Sequence, residues 1–323
     1  MTGEKGRILF AVTGWDPAGW IDAFAKAAPG RPVVLAPDKP DDPTIRYATV
    51  WKHRPGVLTN LPNLKVVFSV GAGVDHIFAD PQLPDVPIVR IVADDLTMRM
   101  SEYVVWQVLD HLRQGRLYRE LQMNHSWREA PQPAAADITV GIMGLGVLGT
   151  DAAEKLRQLG FRITGWSRSP KQVNGVACYA GTGELAGFLG ASDIVVVLLP
   201  LTPDTKGIIE RDMLEKMKPE TPFGGPVLIN AGRGGLQVEA DILEALDKKP
   251  GEKGALMAAS LDVFETEPLP ASSPLWDHPR ITVTPHVAAT SDPRHLVPQI
   301  VRQMADFEAG KPLENLVDRK AGY

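Results

Sequence analysis

The sequence predicts an α/β protein with two mostly parallel sheets, and two patterns carry this prediction. Short apolar or β-branched runs recur along the chain with helical patterns between them, as expected for strands joined by crossover helices. Runs such as IVVVLL (194–199) are apolar on both faces, which is typical of strands covered by helices on both sides. The runs fall into two sets, so we expect two domains of similar architecture.

The two sets of predicted strands are separated by a helical stretch. The first set covers residues 7–12, 32–35, 47–51, 65–70 and 87–91. The second set covers residues 138–143, 161–166, 194–199, 227–230, 255–263 and 281–284. Between them, 97–127 is rich in helix-forming residues and predicts one or two helices that lead from the first domain to the second, and 128–137 (REAPQPAAAD) predicts a linker.

Length and composition limit the classes of protein that the chain can belong to. The 323 residues have room for about two domains of roughly 150 residues each. Hydrophobic residues make up 44% and charged residues 23%, which excludes a mostly disordered chain. The formal net charge of −5 gives no broad electrostatic reason to bind nucleic acid or an anionic membrane. We therefore predict neither as a partner.

The cellular location is predicted from what the chain does not contain. The single cysteine, Cys178, cannot form an internal disulfide, so an oxidising compartment is not indicated. No apolar run approaches the roughly 18 to 20 residues that span a bilayer. The apolar run near the N-terminus, 7–12, is too short for the core of a secretory signal and fits a buried strand. We expect a cytoplasmic protein, without a metal site.

The most specific motif is a glycine-rich turn between a predicted strand and a predicted helix. Strand 138–143 leads into GLGVLG (144–149), and the following helical segment stops at Gly160. The first glycine permits a tight turn, the second lets the backbone approach a pyrophosphate, and the third allows the helix to pack closely on the strand. The start of the helix offers N–H groups and a partial positive charge to phosphates. The predicted dinucleotide-binding residues are Gly144, Gly146, Val147, Leu148 and Gly149.

The residues after strand 161–166 bear on which dinucleotide binds. An NAD site usually places Asp or Glu about 20 residues beyond the glycines, where it accepts from the ribose 2′-hydroxyl. This sequence has Ser167, Arg168, Ser169 and Lys171 in that region and no carboxylate. Arg168 can pair with a 2′-phosphate or stack on adenine. We predict NADPH as the preferred cofactor and NADH as a weaker one; the alternative is that these cations belong to a solvated loop without a ligand.

Three further motifs place chemically useful side chains at or beyond predicted strand ends. VLINAGRGG (227–235) contains Arg233, LDVFETEPLP (261–270) contains Glu265 and Glu267, and ITVTPHVAA (281–289) contains His286. Each has an ordinary structural reading when taken alone. Together they supply a cation for a carboxylate, a proton donor and an acid that orients the donor, which is what reduction of a 2-oxo acid requires.

With these motifs the whole chain resembles the D-2-hydroxyacid dehydrogenase family, and within it the branch that reduces glyoxylate and hydroxypyruvate. WSRS, LLPLTPDTKGII, SVGAGVDHI and VDRKAGY also carry the resemblance. It implies two doubly wound parallel-sheet domains, with a Rossmann cofactor domain (101–287) inserted into a flavodoxin-like substrate domain (1–100 and 288–323). It also implies a homodimer formed through the cofactor domains.

The resemblance assigns roles to residues of the predicted cofactor domain. It implies that Arg233 binds the substrate carboxylate, that Glu267 orients the histidine, and that His286 is the general acid that protonates the substrate oxygen. The positions that it places at the cofactor, mostly along the nicotinamide, are Leu199, Pro200, Thr205, Ala231, Gly232 and Asp262.

Two predictions concern the substrate domain. Backbone N–H groups of Ala72, Gly73 and Val74 follow a strand and could hold a carboxylate, as a backbone nest does; the alternative is a glycine turn without a ligand. Trp51 ends another strand and resembles the aromatic pocket wall of this branch, where it would favour short acids. It could equally belong to the core.

The implied activity is reduction of glyoxylate to glycolate and of hydroxypyruvate to D-glycerate, with hydride from NADPH. One alternative is a D-2-hydroxyacid dehydrogenase that prefers another 2-oxo acid. A second alternative is a dinucleotide-sensing binding module like the C-terminal-binding-protein corepressors, although the chain retains Arg233, Glu267 and His286.

Overall fold

Each sheet of the computed structural model belongs to its own unit of the chain. The structure describes residues 6–36 and 41–323. One unit contains the described residues up to Leu96 together with Ser291–Tyr323, and the other is Thr97–Thr290. These divisions lie four and three residues from the boundaries expected from the sequence, 100/101 and 287/288.

The five-stranded unit has the strand order of a flavodoxin-like sheet. Its strands are β1 (Arg7–Val12), β2 (Val33–Leu35), β3 (Ile45–Trp51), β4 (Val66–Ser69) and β5 (Ile88–Val89). They pair in parallel in the order β2-β1-β3-β4-β5. Its helices are α1 (Ala18–Ala27), α2 (Asp75–Phe78) and, near the C-terminus, α9 (Pro293–Glu308).

The seven-stranded unit has the strand order of a Rossmann sheet. Its strands are β6 (Thr139–Met143), β7 (Arg162–Ser167), β8 (Val176–Ala180), β9 (Ile194–Val197), β10 (Val227–Asn230), β11 (Ala258–Leu261) and β12 (Ile281–Val283). All pairings are parallel, in the order β12-β11-β10-β9-β6-β7-β8. The chain runs outward from β6 through β7 and β8 and then returns to β9 on the other side of β6. This reversal is the topological switch point where such sheets bind ligands.

The remaining helices complete the seven-stranded unit, although the first begins three residues before it. They are α3 (Asp94–Leu112), α4 (Gly115–Met123), α5 (Val147–Gln158), α6 (Gly181–Ala191), α7 (Arg211–Leu214) and α8 (Glu239–Asp247). The prediction of two doubly wound parallel-sheet domains is confirmed.

Three details differ from the sequence prediction. Strand β8 was not predicted, since its segment VACYA has little β-branched character and its side chains are only partly buried at the edge of the sheet. The run 255–263 was predicted as one strand, but only Ala258–Leu261 pairs with the neighbouring strands β10 and β12. The helical stretch predicted over 97–127 begins at Asp94 and ends at Met123; it forms two helices, α3 and α4, as the prediction of one or two allows, with left-handed Gln114 between them.

The central strands of the Rossmann sheet are buried on both faces, as their apolar composition predicts. Val196 of β9 packs in one cluster with Val104 of α3, and Val195 packs in another with Leu246 of α8. All four side chains are fully buried. Burial of each such side chain contributes about 1.5–3 kcal/mol, which keeps the strand ends in fixed positions.

His111 gives the seven-stranded unit a stability that depends on pH. Its Nε2 lies 2.8 Å from Ser260 Oγ, and burial lowers the pKa of His111 to about 4, whereas its value in the unfolded chain is about 6.5. Above pH 6.5 the ring of His111 is neutral in both the folded and the unfolded chain, so it does not lower the free energy of unfolding. Between about 6.5 and 4 the unfolded chain takes up a proton that the folded chain does not, so the free energy of unfolding falls by about 1.4 kcal/mol per pH unit.

Urea unfolding across this pH range tests the prediction. We expect His111→Asn to have a smaller slope of unfolding free energy against pH than the wild type. Ser260→Ala is the matched control, because it removes the hydrogen bond and leaves the burial that shifts the pKa; it should retain the slope. An unchanged slope in His111→Asn would show that other groups cause the acid sensitivity.

Candidate active site

His286 and Glu267 form a directly bonded pair beyond the ends of β12 and β11. The Nδ1 atom of His286 lies 2.9 Å from Glu267 Oε2, with the two side chains 29% and 19% exposed. The other carboxylate oxygen, Oε1, accepts from the backbone N–H of Phe264 at 3.2 Å. Since Glu267 is fixed at both oxygens, it holds the Nδ1 edge of the imidazole in a defined orientation, with Nε2 on the opposite edge of the ring.

Asp262 holds the backbone that presents His286. It is almost fully buried, and its two carboxylate oxygens accept from the backbone N–H groups of Val287 and Ala288, each at 2.9 Å. The His286 N–H donates to the backbone oxygen of Asp262 at 2.8 Å. These bonds support a left-handed conformation at His286, with φ of +55°, which is uncommon for a residue other than glycine and is found at functional sites.

A short chain of hydroxyl groups extends this support. Thr284 Oγ1 donates to Asp262 at 2.7 Å and lies 2.8 Å from the hydroxyl of Tyr103 on α3. Burial raises the pKa of Asp262, and the hydrogen bond from Thr284 with those from Ala288 and Val287 opposes this rise. Neither Tyr103 nor Thr284 was predicted from the sequence as part of the site; Tyr103 lies within the predicted helical stretch 97–127, and Thr284 ends the predicted strand 281–284.

Arg233 begins a tight turn after β10. It precedes the 3-10 turn Gly234–Leu236, and its Nη1 donates to Gly232 O at 2.8 Å. A Cβ on Gly232 would lie 3.0 Å from Leu199 O, so the two strand ends touch at this point. Thr205 fixes the neighbouring loop, because its hydroxyl donates to Pro200 O at 2.7 Å. The predicted cofactor residues after β9 and β10 therefore lie side by side.

The glycine-rich turn 144–149 is closely packed at its first and third glycines and open at its second. Gly144 has φ of +109°, and a Cβ there would meet Leu198 O at 2.7 Å. A Cβ on Gly149 would lie 2.0 Å from Gly144 O, so α5 packs directly on the turn. At Gly146 a Cβ would meet no described atom within 4 Å, so this side of the turn is open. α5 begins at Val147 and directs its N-terminus to this opening.

The segment after β7 places positive charge beside that turn. Arg168 and Ser169 are exposed, while Ser167 is buried and donates to Ser169 O at 2.8 Å. The ammonium group of Lys171 donates to Leu145 O at 2.6 Å, inside the glycine-rich turn. The predicted ribose end of the site therefore adjoins the predicted phosphate end.

In the five-stranded unit, Trp51 covers Gly71, which directly precedes the predicted carboxylate-binding residues 72–74. A Cβ on Gly71 would lie 2.1 Å from the Trp51 ring, which is only partly buried and stacks on Trp15 at a centroid distance of 5.5 Å. His76 meets Trp51 edge-on at 4.6 Å and accepts from the Lys52 N–H at 3.2 Å. Trp51 thus belongs to an aromatic cluster at the strand end rather than to the buried core.

The carbonyl groups of the same loop are bonded within the unit. The Ser69 hydroxyl lies 2.9 Å from Gly71 O and 3.2 Å from Gly73 O. Val74 is buried, and its carbonyl accepts from the Ile77 N–H at the start of α2. Ala72 and Gly73 are partly exposed.

Glu265 is separate from the His286–Glu267 pair. Its Oε1 accepts from the Glu239 N–H at 2.8 Å, and its own N–H donates to Glu239 Oε1 at 2.8 Å. This reciprocal pair fixes the start of α8. Of the two acidic residues noted in the sequence, the structure brings Glu267 to the histidine.

Comparison with known proteins shows the family. Residues 105–288 match the model of the D-isomer specific 2-hydroxyacid dehydrogenase NAD binding domain. An NADPH-dependent glyoxylate/hydroxypyruvate reductase from Sinorhizobium meliloti, solved with NADP and sulfate, is 52% identical, with a TM-score of 0.93 over 99% of this chain and 100% of that chain.

Two further solved structures support the same relationship. A D-isomer specific 2-hydroxyacid dehydrogenase from Xanthobacter autotrophicus Py2 with NADPH and MES is 40% identical, with a TM-score of 0.90 over 99% of this chain and 100% of that one. A probable 2-hydroxyacid dehydrogenase from Rhizobium etli CFN 42 with NADP, HEPES and L(+)-tartaric acid is 43% identical, with a TM-score of 0.89 over 98% of this chain and 100% of that one.

The chain belongs to the D-isomer specific 2-hydroxyacid dehydrogenase family. It is an NAD(P)-dependent oxidoreductase, and its seven-stranded unit is the NAD binding domain of that family. Within residues 6–36 and 41–323, no helix has both the length and the apolar character needed to cross a bilayer.

Proposed function

We propose that the protein is an NADPH-preferring reductase of small 2-oxo acids that converts glyoxylate to glycolate and hydroxypyruvate to D-glycerate. The observation that carries the proposal is the 2.9 Å contact of His286 Nδ1 with Glu267, on a loop next to the one that presents Arg233. The similarity to the Sinorhizobium meliloti reductase supports the choice of substrates.

In this proposal three side chains bind the substrate and transfer the proton. Arg233 binds the carboxylate of the 2-oxo acid and stabilises the negative charge that grows on the carbonyl oxygen. His286 donates a proton from Nε2 to that oxygen. Glu267 accepts from Nδ1 and stabilises the positive ring before transfer. The residues predicted in the five-stranded unit, Trp51 and 72–74, remain predicted substrate contacts.

The residues of the glycine-rich turn fit a dinucleotide. The open side of Gly146 and the N-terminus of α5 would receive the pyrophosphate, and the Arg168 and Lys171 cations would receive the 2′-phosphate. The strand ends with Leu199, Pro200, Ala231 and Asp262 would hold the nicotinamide. When bound, NADPH supplies the hydride.

Arg168→Ala tests the preference for NADPH. We expect it to weaken NADPH by tenfold or more and NADH much less, because a guanidinium–phosphate pair exists only with the phosphorylated cofactor. Dissociation constants from the fluorescence of the reduced nicotinamide measure both. Arg162→Ala is the matched control, because it removes the arginine at the start of β7, the strand that ends just before Arg168. Equal weakening of both cofactors by Arg168→Ala would show that Arg168 only stacks on adenine.

We also propose that the protein is cytoplasmic and forms a homodimer through the seven-stranded unit. Large apolar side chains are exposed there: Trp127 is 99%, Met123 84% and Trp106 51% exposed. The double variant Trp127→Ser/Met123→Ser should halve the mass measured by light scattering. A wild-type monomer at micromolar concentration would contradict the dimer.

Product analysis tests the proposed reaction. The purified protein, supplied with hydroxypyruvate and NADPH, should form one D-glycerate for each NADPH oxidised, as separated by chiral chromatography. L-Glycerate would contradict the proposed stereochemistry. Oxidation of NADPH only with larger 2-oxo acids would assign the protein to a dehydrogenase of other preference.

A further inference from the structure

We propose that Gln237 is a positioning residue that fixes the position of the Arg233 loop relative to the loop that carries Glu267. The proposal rests on the proposed function, since it concerns the same site. The Gln237 side chain is only 3% exposed and is hydrogen-bonded at both ends of its amide group. It accepts from Asn230 Nδ2 at 2.8 Å, and its amide nitrogen donates to Val263 O at 2.9 Å and, at the longer distance of 3.5 Å, to Glu239 Oε1.

Asn230 connects Gln237 to the arginine. It is the last residue of β10 and is fully buried. Its Oδ1 accepts from the Gly232 N–H at 3.0 Å, and its Nδ2 donates to Arg233 O at 3.2 Å as well as to Gln237. The Asn230 side chain therefore holds the turn at two backbone atoms, Gly232 N and Arg233 O. Its amide nitrogen also donates to Gln237.

On its other side, Gln237 reaches the histidine pair. Its acceptor, Val263 O, immediately precedes Phe264, whose N–H donates to Glu267 Oε1. The opposite oxygen of Glu267 contacts His286. The two loops are also in direct contact, because a Cβ on Gly234 would lie 1.8 Å from Phe264 O. The amide of Gln237 is thus a polar link between the loop of the substrate-binding cation and the loop of the acid that orients the proton donor.

A buried amide in this position has a clear energetic consequence. If Gln237 becomes apolar, Asn230 Nδ2 and Val263 O each lose a buried partner, and the turn at Arg233 moves to regain one. Misplacement of a catalytic group by about 1 Å can cost on the order of 100-fold in rate. The glycine-rich turn makes none of these contacts, whereas Ala231 and Gly232, which are predicted to lie at the nicotinamide, belong to the Arg233 turn. The affinity for NADPH should therefore fall less than kcat/KM.

Gln237→Met tests the proposal, because it conserves the length of the side chain and removes the amide's hydrogen bonds to Asn230, Val263 and Glu239. We expect kcat/KM for hydroxypyruvate to fall about 10- to 100-fold, largely through KM. The same change in an Arg233→Lys background should cost less than about twofold further, since residues that act through one another are not additive. Gln303→Met, which alters an equally buried amide in the five-stranded unit, is the matched control and should keep wild-type kinetics.

Binding of oxalate to the NADP-loaded protein gives a second measurement that needs no turnover. Calorimetry should show oxalate binding at least tenfold weaker to Gln237→Met than to the wild type. Wild-type kcat/KM and oxalate affinity in Gln237→Met, or equal losses with and without Arg233→Lys, would overturn the positioning role alone. A wild type that neither reduces hydroxypyruvate nor binds oxalate would overturn the proposed function and this proposal with it.

Discussion

Replacement of His286 by alanine should lower turnover by about 100-fold or more while leaving NADPH affinity unchanged. Glu267 holds the imidazole at Nδ1, and Asp262 holds the backbone of His286, so these contacts fix the direction in which Nε2 points. Removing the ring removes the proton donor and leaves Arg233 and the cofactor-binding turn in place. Steady-state rates with hydroxypyruvate, together with the dissociation constant for NADPH, measure both quantities.

His295→Ala is the matched control for loss of a histidine. His295 lies on α9 in the five-stranded unit, with its side chain 54% exposed, and its removal should not alter turnover. Near-wild-type turnover in His286→Ala would remove this residue from the mechanism. A large loss of NADPH affinity in His286→Ala would show a cofactor-binding role instead.

Loss of Glu308 should destabilise the five-stranded unit by about 1–3 kcal/mol, because the buried guanidinium of Arg31 loses its carboxylate partner, which is 35% exposed, and keeps its bond to Gly6 O. Arg31, whose side chain is 5% exposed, donates to both oxygens of Glu308 at 2.7 and 2.9 Å. Tyr47 also donates to Glu308 at 3.0 Å, and its ring lies 5.0 Å from the guanidinium carbon. Burial and the neighbouring carboxylate raise the pKa of Tyr47 to about 12, so it remains a donor.

Urea unfolding of Glu308→Ala measures this loss. Glu314→Ala is the control, since it breaks an exposed pair with Arg302 near the same helix and should cause no measurable change. Equal stability of Glu308→Ala and the wild type would mean that Arg31 finds water or another acceptor without cost.

The parts of the fold that were predictable are those with a local signal. The glycine-rich turn was predictable because Gly144 and Gly149 occupy positions where a side chain would collide with backbone. The strands of the sheet centre were predictable from their continuous apolar composition. Strand β8 was not, since an edge strand needs less burial and VACYA has no strong pattern.

The site was predictable at the residues that carry the chemistry and not at those that support it. Arg233, Glu267 and His286 belong to motifs of distinctive composition. Tyr103 and Thr284 are 181 residues apart in the chain and meet only through tertiary packing. Gln237 has no local pattern around it; its role depends on contacts with Asn230 and Val263 that only the folded chain creates.

The central claim is NADPH-dependent reduction of small 2-oxo acids, and initial rates of reduced-nicotinamide oxidation test it most directly. The purified protein would receive NADPH or NADH with glyoxylate, hydroxypyruvate, pyruvate or a bulky aromatic 2-oxo acid. We predict fast oxidation of NADPH with glyoxylate and hydroxypyruvate, and slower oxidation of NADH. Activity confined to NADH or to the bulky acid, or no activity with any acid despite tight dinucleotide binding, would contradict the claim.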